Sequence, residues 1–152
     1  MARLDLYGSV DGYLFDFGRS RVVGRAPTRD QREILDAVRE AVQAGTELLR
    51  PGVPLAAIAR RCEEVFAASA YVRRHGRPRE TMGAAWGHGL GLAFEPPWVE
   101  PSAEGVVEAS MCIALERRIE VPGLGGATYE DNIIVTAQGP DVVTPAPDYY
   151  DA

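Results

Sequence analysis

A chain of 152 residues, 46% hydrophobic and 25% charged, has the composition of one globular domain with one core. Its net charge of −6 leaves no excess of cations to neutralise phosphates, which argues against nucleic acid as a partner. No apolar run approaches the roughly 20 residues that cross a bilayer, and the opening Met-Ala-Arg-Leu-Asp-Leu-Tyr-Gly lacks a signal-peptide stretch, so no membrane partner and a cytoplasmic location are expected.

The first 25 residues read as a β-hairpin: an extended run at Arg3 to Tyr7, turn chemistry at Gly8 to Gly12, and an aromatic and β-branched run at Tyr13 to Val23. Thr28 and Gln31 form a capping box, and Ile34, Leu35, Val38, Ala41, Val42, Leu48 and Leu49 follow at helical spacing, which predicts a helix over 29–49. Pro51 and Gly52 end it. A second helix is expected from about Pro54 to Ala70, with Leu55, Ile58, Ala59, Cys62, Val65 and Phe66 on one stripe. Residues 71–87 read as loop and a short strand, and the basic run Arg73, Arg74, Arg77 and Arg79 as a solvated loop. Strands are expected near Leu90 to Phe94, Met111 to Glu120 and Thr128 to Thr136, with a turn at Pro122 to Gly126 and a frayed tail from Pro145. Hairpin, two helices and then strands is an α+β order, so the sheet should be mainly antiparallel with both helices on one face. The two cysteines, Cys62 on the helix stripe and Cys112 in a strand, read as buried thiols in a reducing compartment.

Several ionisable residues fall inside strands. Asp5 and Asp16 lie on opposite arms of the hairpin, where Asp is disfavoured; they either face solvent or share a cation. His88 sits in Gly87-His88-Gly89-Leu90-Gly91, whose glycines let other groups approach the ring, in a structural or a ligating role. Glu116 interrupts the apolar run Met111 to Leu115, and Glu130 precedes Ile133-Ile134-Val135. A carboxylate in an apolar strand is costly unless paired or metal-bound. Four carboxylates with one histidine suit divalent Mn, Fe, Co or Zn.

These segments resemble the pita-bread metallopeptidases, the family of creatinase, prolidase, Xaa-Pro aminopeptidase and methionine aminopeptidase. Asp5 to Gly24 resembles the family's double-aspartate hairpin, Gly87 to Gly91 its histidine motif, Met111 to Glu116 the strand of its first glutamate, and Tyr129-Glu130-Asp131-Asn132 that of its second. Val135-Thr136-Ala137-Gln138-Gly139 is similar to its closing strand and turn, and the short gap between Glu116 and Glu130 is more like the prolidase branch. The resemblance implies an incomplete pita-bread catalytic domain over 1–152 and two divalent ions. Asp16 and Glu130 would bridge the ions, Asp5 would hold one, and His88 with Glu116 the other. A hydroxide shared by the ions would attack a peptide or small-amide carbonyl, with Glu116 as proton shuttle. Tyr13, Phe94 and Trp98 would line a substrate pocket, unless Tyr13 and Phe94 are core residues.

The chain departs from the pattern in two places. It starts almost at the first ligand, so a homodimer or a partner supplying the rest of the fold is expected. Glu95, followed by Pro96 and Pro97, stands where prolidase-like members carry a substrate-contacting histidine. Glu95 is therefore a candidate catalytic residue in a changed role, and ordinary Xaa-Pro cleavage should be weak. A same-fold hydrolase or lyase of other small molecules, and a catalytically silent metal-binding subunit, are the alternatives.

Overall fold

The computed structural model describes residues 1–144, 146 and 147. In chain order the elements are β1 (Ala2–Val10), β2 (Tyr13–Arg21), α1 (Arg29–Thr46), α2 (Leu55–Ala67), α3 (Ala70–His75), β3 (Arg79–Glu80), β4 (Gly87–Leu90), β5 (Phe94–Trp98), β6 (Cys112–Val121), β7 (Gly125–Thr136) and β8 (Gly139–Val142). The strands form one antiparallel sheet in the order β1-β2-β7-β6-β4-β5, with β3 added to β6 and β8 to β7.

The hairpin is longer and its turn tighter than the sequence suggests. Asp11 and Gly12, both at positive φ, make a two-residue turn between nine-residue arms. Gly8 lies within β1, paired with Phe15, whose ring crosses it 2.7 Å from where a Cβ would stand. Pairing matches Asp5 with Gly18 and Tyr7 with Asp16. The two aspartates are thus diagonal neighbours on one face rather than direct partners.

Helix α1 begins at the expected capping box, Thr28 accepting from the Gln31 amide and Gln31 from the Thr28 amide. It stops at Thr46, and Leu48 and Leu49 continue in tight turns. Its buried stripe lies on β6 and β7, against Ile113, Leu115, Ile119, Tyr129, Ile133 and Val135. Helix α2 packs along α1. At Gly45 the three elements meet: a Cβ there would collide with Cys62 Sγ and stand 2.8 Å from Leu115 Cδ2.

The second helix is shorter than its stripe implies, because Ser69 caps a separate α3 by accepting from the Val72 amide. Of the basic run, Arg73 and Arg74 lie on α3 and Arg79 on β3; all are exposed, as expected, but only Arg77 lies in a loop. Arg74 pairs with Asp30 and Glu33 of α1, and Arg77 with Glu63 and Glu80. Leu90 to Phe94 is also not a strand: its middle is the turn that joins β4 to β5. Cys62 is fully buried and Cys112 partly so; burial pushes the Cys62 thiol up to about 12. Of the tail expected to fray, Pro145 and residues 148–152 lie outside the described residues, while Pro147 O accepts from Arg19 Nε.

Candidate metal centre

Strand alternation and register decide which side chains share a face. On β6 the odd-numbered residues Ile113, Leu115 and Ile119 enter the core beneath α1, which leaves Glu116 on the opposite face. Glu116 pairs across to Glu130, Glu130 to Gly18, and Ala114 to His88. Asp16, two residues from Gly18, and Asp5, paired with Gly18, point the same way. All five residues singled out by the sequence therefore project from the sheet face away from the helices. Gly18 permits the close approach of β2 to β7: a Cβ there would lie 3.3 Å from Glu130 Cβ.

The side chains are drawn together unequally. Single donor atoms of Asp16, His88 and Glu130 lie within 4.8 Å of one another. Glu116 joins through His88, with Oε1 3.6 Å from Nε2. His88 Nδ1 lies 2.9 Å from the Gly89 carbonyl, which can only accept, so Nδ1 carries a proton and Nε2 is left facing the carboxylates. Asp5 stands apart from the trio, ion-paired to Arg118. Glu95 does too: it is exposed on β5 opposite Gly89, and its carboxylate folds back over Gly91, with Oε1 2.6 Å from where a Gly91 Cβ would be. It lines a surface hollow with Tyr13, Leu90, Pro96 and Met111 instead.

The chain holds these groups against their electrostatic preference. Glu130 is fully buried, and neither of its carboxylate oxygens, nor Oδ1 of Asp16, has a hydrogen-bond partner among the described residues. Burial, reinforced by Glu116, Asp16 and Asp5, pushes the Glu130 carboxyl far above the usual range. Burial, with Asp5 and Glu116 nearby, pushes Asp16 up to about 6. For His88 burial works against the charged form, but Glu116, the Gly89 carbonyl and Asp16 outweigh it and raise the imidazole. Two oxygen donors and one nitrogen donor, buried and short of hydrogen bonds, fit a divalent cation of the Mn, Fe, Co or Zn kind.

Residues absent from the sequence-level set lock this arrangement. Asn132 donates from Nδ2 to the Asp16 carbonyl and accepts at Oδ1 from the Asp16 amide (3.0 Å), which clamps β2 against β7. Arg19 donates to the Glu130 carbonyl (2.5 Å) and to Asp131 Oδ1 (2.6 Å), with its guanidinium 4.2 Å over the Tyr129 ring. An Arg three residues after Asp16 and an Asp-Asn pair after Glu130 were the available signals. Phe94 and Trp98 are not core residues; both are half-exposed, with ring centroids 5.4 and 5.8 Å from that of His88. Tyr13 is exposed at the hairpin tip.

An antiparallel sheet with helices beneath it and a carboxylate–histidine cluster above it is the architecture of the pita-bread metallohydrolases. The profile of Metallopeptidase family M24 matches residues 1–137, and the chain belongs to that family. It is 32% identical over 141 residues to an uncharacterised peptidase of Staphylococcus aureus (strain USA300), a match covering 92% of this chain and 38% of that protein. Among solved structures it resembles the dipeptidase PepE from Mycobacterium ulcerans, with a TM-score of 0.84 and 29% identity, covering 97% of this chain and 38% of that one. The prolidase from Pyrococcus furiosus gives 0.81 and 28%, covering 95% and 41%. The chain thus has the pita-bread fold in part and spans about 40% of the length of these relatives. Among the described residues no helix is long and apolar enough to cross a membrane.

Proposed function

We propose that the chain carries the metal centre of a divalent-metal-dependent hydrolase that cleaves a small peptide or amide, most simply a dipeptide of the Xaa-Pro kind. One observation carries this reading: the fully buried Glu130 carboxylate, with no hydrogen-bond partner among the described residues, beside Asp16 and His88. A lone carboxylate in that setting would protonate or distort the fold; a cation shared with its neighbours removes both outcomes. Asp16, His88 and Glu130 would hold the first ion, and Glu116 and Asp5 would complete a site for up to two, with Mn, Co, Zn or Fe as candidates. Ions bound there supply Lewis acidity toward the scissile carbonyl and the attacking water. Glu116, beside His88 Nε2, takes the proton that water loses and returns it to the leaving nitrogen. Phe94 and Trp98 offer apolar faces to a proline ring or a small side chain next to the imidazole.

The proposed partner is a second copy of the chain. β1 is an edge strand, and Leu4, Leu6, Val10, Tyr13 and Phe15 leave an exposed apolar surface beside it. Light scattering on the eluting protein should give twice the chain mass; a monomer at micromolar concentration would refute the pairing.

The activity test is hydrolysis of an Xaa-Pro and small-amide panel by protein reconstituted with Mn(II), Co(II) or Zn(II). Metal-dependent turnover, slower than the roughly 10 s⁻¹ of a typical enzyme and abolished in Glu116→Ala and Glu130→Ala, is expected. Turnover that persists in both variants, or no metal-dependent turnover on any substrate, would overturn the hydrolase reading.

A further inference from the structure

The two edges of the sheet meet beside the imidazole. Strands β1 and β5 end the path β1-β2-β7-β6-β4-β5, so five steps of about 4.8 Å would set them roughly 24 Å apart in a flat sheet. The Tyr7 ring of β1 nevertheless stands 6.4 Å from the Phe94 ring of β5, centroid to centroid, in an edge-to-face arrangement at 73°. The sheet is therefore curled, with the metal face on its inside. A hydrogen bond fastens the curl: the Leu14 amide of β2 donates to the Gly91 carbonyl in the β4–β5 turn (2.8 Å).

Register puts Tyr7 on the face of the trio. It pairs with Asp16, and cross-strand partners project to one side. On the other edge Trp98 pairs with His88, and Phe94 with Leu90, two residues along β4. The Phe94 ring stands at 87° to the imidazole and the Trp98 ring at 61°. Tyr7, Phe94 and Trp98 thus form steep aromatic walls around His88. Alternation turns Glu95, the one ionisable residue of β5, to the other face, into the hollow it shares with Tyr13 and Met111. A packing contact alone would have buried the rings, yet Tyr7 is 74% exposed, Phe94 45% and Trp98 47%. An apolar group laid among them removes that area from water.

We propose that Tyr7 is a specificity-determining residue: with Phe94 and Trp98 it selects substrates that carry an apolar side chain on the residue held against His88. The inference rests on the hydrolase reading above and deepens it by naming the side-chain class and the residue, from the far edge of the sheet, that completes the wall.

The test is calorimetry on the Mn(II)-loaded chain with two probes, glycine hydroxamate and leucine hydroxamate, whose shared hydroxamate takes the metal and whose side chains differ. Wild type should bind the leucine compound about tenfold or more tighter than the glycine compound. Tyr7→Ala should bring the two within about threefold, by weakening the leucine compound while the glycine compound keeps its affinity. Tyr7→Phe, which retains the ring, should keep the wild-type preference. Equal affinities in wild type overturn the proposal, whether or not the variants fold. A full leucine preference in folded Tyr7→Ala does so as well, and would reduce the Tyr7–Phe94 contact to a brace between the sheet edges. Failure of wild type to bind glycine hydroxamate would instead overturn the metal centre, and the proposal with it.

Discussion

Without metal, raising the pH from about 5 to about 8 should weaken this fold, against the usual trend for a protein of acidic composition. Asp16 and Glu130 both titrate higher in the folded chain than in an unfolded one, and so does His88. Each therefore binds protons more readily when folded. For the two carboxyls, ionisation above the unfolded value costs stability until the folded pKa is passed; for His88, stability present at low pH is lost as pH rises through its folded pKa. All three push in one direction. Asp16, titrating at about 6 instead of 3.8, loses its stabilising effect between those two values, so about 1.4 kcal/mol at full effect falls above pH 5. It is only half-buried, so solvent screening cuts this to about 0.5–1 kcal/mol, and Glu130, raised much further by burial, contributes the larger share across the range. Urea unfolding in the presence of a chelator, followed by tryptophan fluorescence, gives the comparison, with the buried Trp86 as reporter. The midpoint should fall by on the order of 1 M urea across that pH range. Glu130→Gln should flatten the dependence and raise stability at the alkaline end. A midpoint that is level or rises with pH in the wild-type chain would refute the electrostatic reading of the site.

Further predictions concern the residues around the cluster. Asn132→Ala removes both hydrogen bonds to the Asp16 backbone; it should cost about 1–3 kcal/mol in urea unfolding and weaken Mn(II) binding about 10–100-fold by calorimetry. Gly45→Ala forces a methyl group into Cys62 and Leu115 and should destabilise by about 1–3 kcal/mol, with no change in metal affinity once folded. Glu95→Ala, remote from the trio, should leave Mn(II) affinity unaltered and stability within about 0.5 kcal/mol; a weaker ion in that variant would return Glu95 to the centre.

The sheet and its main helices were legible because their signals are local. The Thr28–Gln31 capping box marks where α1 begins, and apolar periodicity marks the stripes of α1 and α2. The order of acidic and histidine residues along the chain pointed to the family, since each stands where an apolar strand would otherwise run. The hairpin register escaped that reading. Gly8, Ser9, Asp11 and Gly12 all favour turns, and only the pairing of Gly8 with Phe15 across the hairpin assigns that glycine to the strand. The break between α2 and α3 was hidden because Ser69 interrupts a sequence that is otherwise helical on both sides. The ion pairs of the basic run were hidden for a different reason: apart from Glu80, the partners Asp30, Glu33 and Glu63 lie far away in sequence. Distance in sequence also concealed the pairing of Asp5 with Arg118, and with it the unequal gathering of the five site residues.

The most direct measurement of the metal centre is anomalous diffraction at the manganese edge from crystals of the chain grown with Mn(II). We expect a strong peak among the carboxylates of Asp16 and Glu130 and Nε2 of His88. A well-ordered crystal of the folded chain with no anomalous peak at those three groups would contradict the assignment.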